Sequence, residues 1–191
     1  MKRYKLINYT DCTESQQRDI FNLRNLPEVR KWMTNTGLIV WHDHLDFVES
    51  LKHTENRQYY AIYEKDELVG TYNLTKDSDT TWERGIIISP LFQGTGSTVE
   101  IERWVLGTLS RKEFRIITAK VKQDNLRSIR YHEKVGYMET CTDNKYVYFK
   151  LDTDMICKFT MGGVKWAPVD GVTQVALIVF AYLHNGLKVC K

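Results

Sequence analysis

Gly85-Ile86-Ile87-Ile88-Ser89-Pro90 runs directly into Leu91-Phe92-Gln93-Gly94-Thr95-Gly96-Ser97-Thr98. The first six residues read as a continuous apolar strand, buried on both faces and ended by Pro90, and the rest as a glycine loop that opens a helix. Gly94 and Gly96 permit positive φ and close approach of a ligand to the backbone, while Ser97 and Thr98 can cap the helix or donate hydroxyls. Such a turn gathers N–H groups at the positive end of a helix, which favours a phosphate group. A loop that merely redirects the chain carries the same pattern. It is not a P-loop, which needs Gly-Lys-Ser/Thr, nor a dinucleotide fingerprint, which needs a third glycine and a later acidic residue.

Upstream, Ile20, Leu23, Val29 and Met33 recur at helical spacing between Glu14 and Met33, and Pro27 splits that stretch into a bent pair. His42 to Lys52 predicts a second helix with Leu45, Val48 and Leu51 on one face. Tyr59–Tyr63 and Leu68–Leu74 are β-rich runs on either side of the charged Glu64-Lys65-Asp66-Glu67, an antiparallel hairpin. Downstream, the helix after the glycine loop extends to about Arg111 with Ile101, Val105 and Leu109 inside, and Arg115–Val121 alternates as a strand. Asn125 to Val135 predicts a helix that stops at Gly136. Met138–Thr142 and Lys145–Leu151 then form a last hairpin across Asp143-Asn144. The order of elements gives a mixed α/β layer fold, of the α+β kind.

Composition narrows the function classes. A chain of 191 residues with 42% hydrophobic and 27% charged residues, 11 Gly and 3 Pro is an ordinary globular protein, longer than one typical domain and shorter than two. Its net charge of +3, without a basic run, does not imply nucleic acid, although a few cations in one cleft would still suit an anionic small molecule. Cys12, Cys141, Cys157 and Cys190 show no metal-ligand spacing and read as reduced thiols, so no metal is expected. The start, MKRYKLINYTD, has no apolar leader, and the apolar run Val175–Leu183 is about half of a membrane span. A cytoplasmic protein without a membrane partner is the expectation.

Gln93 and Gly96, with the strand before them and the helix after, resemble the GCN5-related N-acetyltransferase (GNAT) superfamily, in which a Gln/Arg-x-x-Gly-x-Gly/Ala loop cradles the acetyl-CoA pyrophosphate. Thr98 stands where Gly or Ala is usual. Asn125-x-x-Ser128-x-x-Tyr131-His132-Glu133-Lys134-x-Gly136-Tyr137 is similar to the second signature of that superfamily. The resemblance implies a mixed, mostly antiparallel central sheet flanked by helices, with two strands splayed at the acetyl-CoA site. It implies acetyl-CoA as donor, bound by Ile87, Ile88, Gln93, Gly94, Thr95, Gly96, Ser97, Thr98 and Asn125. Leu23-Arg24-Asn25-x-Pro27, Trp32-Met33, His44-Leu45-x-Phe47, Val69-Gly70 and Thr75-Lys76 further resemble the UDP-amino-sugar acetyltransferases of the pseudaminic acid pathway. That likeness implies Arg24, His44, Thr75 and Lys76 at the nucleotide end, with Met33 and Phe47 against the sugar methyl.

Acetyl transfer needs a neutral amine, a stabilised oxyanion and a proton for the thiolate. Glu83 stands where the superfamily often carries a base, although a solvated carboxylate at a strand start explains it as well. A backbone N–H between Ile87 and Ser89 would meet the oxyanion. His132 stands where Tyr is usual, with Tyr131 one residue earlier, so either is the candidate acid; the structural alternative is Tyr131 in the core and His132 exposed. The expected function is acetyl transfer to a UDP-linked amino-deoxy sugar. Its alternatives are a protein N-terminal or small-amine acetyltransferase, or a silent CoA-binding module. Residues 1–152 would form the acetyltransferase domain, and 153–191 an extension packed on the core or on a second subunit of a homodimer.

Overall fold

The computed structural model describes residues 4–94, 96–109 and 113–154. Thr95 and the expected extension from residue 155 onward lie outside them. The chain divides into two compact units, Met1–Ala119 and Lys120–Lys191.

Within the first unit, local chemistry sets the helix boundaries. The Thr13 side chain accepts from the Gln16 N–H and the Gln16 side chain accepts from the Thr13 N–H, a capping box that starts α1 (Glu14–Asn25). Pro27 opens α2 (Pro27–Arg30), so the split at proline is as the sequence predicts. The second piece is shorter than expected, and Met33 lies beyond it. Helix α3 spans Trp41–Leu51.

Strand β1 (Tyr4–Asn8), too short and mixed to be read from the sequence, pairs antiparallel with β2 (Arg57–Glu64). β2 pairs with β3 (Glu67–Lys76) around Lys65, whose φ is 55°. β3 in turn pairs antiparallel with β4 (Thr81–Ile88), matching Thr75 with Glu83 and Gly70 with Ile88. A side chain at Gly70 would overlap the Ile87 carbonyl, so these two strands need a glycine there. β4 spans Thr81–Ile88, starting four residues before the apolar run, so Glu83 lies inside the strand and not ahead of it. Ile86 and Ile87 are half-buried, correcting the expectation of a strand covered on both faces. β5 (Ile116–Lys122) runs parallel to β4, matching only Ile116–Thr118 to Thr81–Glu83.

On one sheet face Ile20 of α1, Val48 and Leu51 of α3, and Tyr9 pack against Ala61 and Tyr63. The other face holds Trp82, whose indole N–H donates to the Glu113 carbonyl at 3.2 Å and whose ring meets Phe114 at 4.9 Å. Ile101 and Val105 of α4 (Ser97–Thr108) are fully buried. The helix ends at Thr108, short of the expected Arg111, and Leu109 is its C-cap.

In the second unit the Asn125 side chain accepts from the Ser128 N–H at 3.2 Å, capping α5 (Leu126–Val135), and Gly136 ends it with φ 117°. β6 (Met138–Thr142) and β7 (Tyr146–Asp152) form the expected antiparallel hairpin. Asp143 closes its turn by accepting from the Lys145 and Tyr146 N–H groups, and the Tyr148 hydroxyl foremost holds its carboxyl below the usual range. Cys12 is a free thiol, pushed up to about 11 by burial, whereas Cys157 and Cys190 lie outside the described residues.

Candidate functional site

The glycine loop begins where β4 ends. Gln93 Nε2 donates to the Ile88 carbonyl at 2.7 Å, tying the loop to the strand end. Gly94 and Gly96 have φ of 81° and 80°, a left-handed geometry that disfavours other residues, and a side chain at either would meet nothing within 4 Å. Space therefore opens directly over the backbone. Gly96 is the N-cap of α4 and brings no side-chain cap to the helix, whose positive end is suited to an anionic ligand. Of the two uses open to the Ser97 hydroxyl, capping or donating, the structure shows donation, to the Phe92 carbonyl at 3.3 Å. Thr98 is half-buried in the first turn.

Strand β4 contributes an edge as well as a face. The Ser89 N–H donates to the Val69 carbonyl at 2.8 Å. Alternation along an antiparallel ladder then turns the Ile87 N–H toward β3 and the Ile88 N–H to the opposite side. No pairing of β4 with β5 is registered past Glu83 among the described residues. Of the segment Ile87–Ser89, Ile88 is thus the residue whose amide is directed to the side where β5 has left the ladder.

The sheet face on the α1 and α3 side collects most of the remaining candidates of the first unit. Register places Arg57, Thr75 and Glu83 opposite one another on adjacent strands, hence on one face. Tyr59 bonds the Thr75 side chain and is raised above its ordinary pKa, chiefly by burial, with Glu83 adding repulsion. Phe47 of α3 meets the Tyr59 ring edge-on at 4.9 Å, and Tyr9 meets Tyr59 at 5.6 Å. Arg24 donates from Nη2 to the Asn35 carbonyl at 2.7 Å, while its Nη1 is buried with no hydrogen-bond partner among the described residues. Burial, and then Arg30, lower the Arg24 pKa. Met33 is half-buried beyond α2, and Lys76 pairs with Asp79 at 3.5 Å.

His44 is 5% exposed, stacked on Trp41 at 5.5 Å and tilted against Phe21 at 5.9 Å. Its Nε2 lies 2.9 Å from Gln17 Oε1, and Gln17 Nε2 donates to the Tyr9 carbonyl. Burial lowers the His44 pKa. A neutral ring with its proton on Nε2 satisfies this arrangement.

In the second unit Asn125 spends its side-chain oxygen on the α5 cap. His132 is 2% exposed, stacked on Phe149 at 4.9 Å, edge-on to Tyr137 and Tyr131, with Nδ1 2.6 Å from the Ser128 carbonyl. The alternative of a core Tyr131 with an exposed His132 is therefore reversed: His132 is enclosed and Tyr131 is half-buried. The apolar stripe of α5 takes in the histidine because it stands three residues before Val135, on the covered side.

One feature of the site lay beyond sequence reading. Arg84 of β4 and Glu102 of α4 form a forked ion pair, Nε–Oε1 3.0 Å and Nη2–Oε2 3.1 Å, with side chains 2% and 0% exposed. It fastens the helix that starts at the glycine loop to the strand that carries Glu83 and Ile88. Tyr59 and Arg57 were likewise missed, because only strand pairing brings them beside Thr75 and Glu83.

Residues 10–138 match the Acetyltransferase (GNAT) domain, and the chain belongs to that family: it is an N-acetyltransferase with acetyl-CoA as its donor. It is 22% identical to the acetyltransferase PseH of Campylobacter jejuni over 146 residues, covering 75% of this chain and 90% of that one. The solved structure of C. jejuni N-acetyltransferase PseH with acetyl coenzyme A is similar, with TM-score 0.62, 17% identity and coverage of 78% and 98%. A spermidine N-acetyltransferase from Vibrio cholerae, solved with CoA and spermine, has TM-score 0.70, 16% identity and coverage of 81% and 98%. At these identities the structural likeness speaks to fold. The glycine N-cap of α4 and the open space over Gly94 and Gly96 fit a pyrophosphate.

Proposed function

We propose that this chain acetylates the amino group of a UDP-linked amino-deoxy sugar. The observation that carries the reading is Arg24, whose buried Nη1 has no partner among the described residues and suits a diphosphate oxygen. The likeness to PseH supports it. In this reading Met33 and Phe47 form the apolar wall for a deoxy carbon, His44 backs that wall, and Thr75 and Lys76 offer donors to the nucleotide. Bound acetyl-CoA supplies a thioester carbonyl; the chain supplies the rest. The α4 start with Gln93 to Thr98 holds the donor diphosphate, Asn125 orders the α5 start beside its arm, and Glu83 takes the ammonium proton. Ile88 N–H, with Ile87 fixing the strand, meets the oxyanion. Tyr131, half-buried, is the proton donor, and the enclosed His132 holds its helix turn. A cytoplasmic location, a homodimer and the division into residues 1–152 and 153–191 belong to the same proposal.

The test is acetylation of a UDP-4-amino-4,6-dideoxy sugar against spermidine and an N-terminal peptide, with Arg24→Ala alongside. The nucleotide sugar should be the substrate turned over, and Arg24→Ala should raise its KM roughly tenfold while leaving the acetyl-CoA KM alone. Turnover of spermidine or the peptide alone would replace the substrate class. Equal effects on both KM values would remove Arg24 from the acceptor side.

A further inference from the structure

Arg57 opens β2, and its guanidinium lies over the Phe47 ring, 5.9 Å from the centroid. That contact orients the group and leaves its N–H donors available, since a ring face takes up charge and not hydrogen-bond direction. No carboxylate lies within ion-pair distance of it among the described residues. Glu55 and Glu113 line the shallow cavity that Arg57 also borders, together with Lys52 and Gln58, but neither reaches it, and Gln58 Nε2 donates to Glu113 at 3.1 Å. The cross-strand row Arg57, Thr75, Glu83 places the cation two strand spacings from the carboxylate, about 10 Å at the backbone. The Tyr59 phenol and its bond to Thr75 fill the interval.

We infer that Arg57 is a specificity-determining residue: it binds an anionic group of the acceptor while Glu83 takes the proton of the amine. The row selects an amine whose negative charge stands several bonds from the nitrogen, as the diphosphate of a nucleotide-linked amino sugar does. It disfavours a polyamine, whose second ammonium would meet the guanidinium. The inference rests on the proposed acceptor site and adds a second cation, besides Arg24, to it.

The test uses the full chain with acetyl-CoA and a UDP-4-amino-4,6-dideoxy sugar, in the wild type, Arg57→Gln and Arg57→Lys. Arg57→Gln should raise the acceptor KM roughly tenfold with the acetyl-CoA KM unchanged, and Arg57→Lys should recover part of the loss. An acceptor KM within twofold of wild type in Arg57→Gln would overturn the inference and leave the proposed function standing. If the wild type fails to acetylate the nucleotide sugar, the proposed function falls, and calorimetric titration of UDP decides the inference by itself. Weaker UDP binding in Arg57→Gln supports it; no binding, or equal binding, overturns it. The half-buried position at a strand start makes loss of folding an unexpected result, and a melting curve of each variant controls for it.

Discussion

A half-buried guanidinium with one nitrogen unsatisfied is costly in the free protein and becomes worthwhile when an anion arrives, which is why Arg24 weighs more in the functional argument than any exposed cation. Replacing Glu83 by Gln keeps the shape and removes the proposed base, so kcat should fall about a hundredfold or more while calorimetry finds acetyl-CoA binding intact. Unchanged turnover would take Glu83 out of the chemistry. His44 gives the residue scale its pH dependence. Burial lowers its pKa in the folded chain, so the unfolded chain binds the proton more readily. The stability that the neutral ring contributes is thus present above its ordinary value of about 6.5 and is lost as pH falls below it. Melting temperature measured from pH 7.5 to 5 should decline in the wild type more steeply than in His44→Gln. Parallel curves would show that His44 is not the titrating group.

Elements differ in how openly the sequence declared them. Helix α5 was legible at both ends because Asn125 and Gly136 are local signals, a cap and a left-handed stop. β4 was placed four residues late because apolar residues alone marked it, while its first half keeps Trp82 and Arg84 on the covered face and exposes Glu83. The Arg84–Glu102 pair was invisible for another reason. Eighteen residues separate the two, and no short-range pattern links a strand arginine to a glutamate in the next helix. Removing one partner strands a buried charge, so Glu102→Leu should cost about 3–5 kcal/mol in chemical denaturation, and Arg84→Met with Glu102→Leu should recover most of it. A single variant as stable as wild type would mean that water reaches Arg84. Catalytic assays on the double variant would then report what the pair does for the register of α4 on β4.

At the scale of the whole molecule the two signatures, one in each unit, were enough to read the family, since each couples a glycine or asparagine to a required backbone geometry. The proposed acceptor face was only partly readable. Arg24, Phe47, Thr75 and Glu83 could be named one by one, whereas Arg57 and Tyr59 join them through the pairing of β2 with β3, which residue spacing does not encode.

The brevity of the β4–β5 ladder reaches past the catalytic step. Three matched pairs hold the strands together, and among the described residues no pairing with β5 is registered past Glu83, on the edge toward which the Ile88 N–H is turned. Deuterium uptake should therefore be a direct gauge of donor occupancy: Ile88 should exchange quickly in the free protein and slow sharply once acetyl-CoA saturates it. Ile87, already turned toward β3, should be protected in both states.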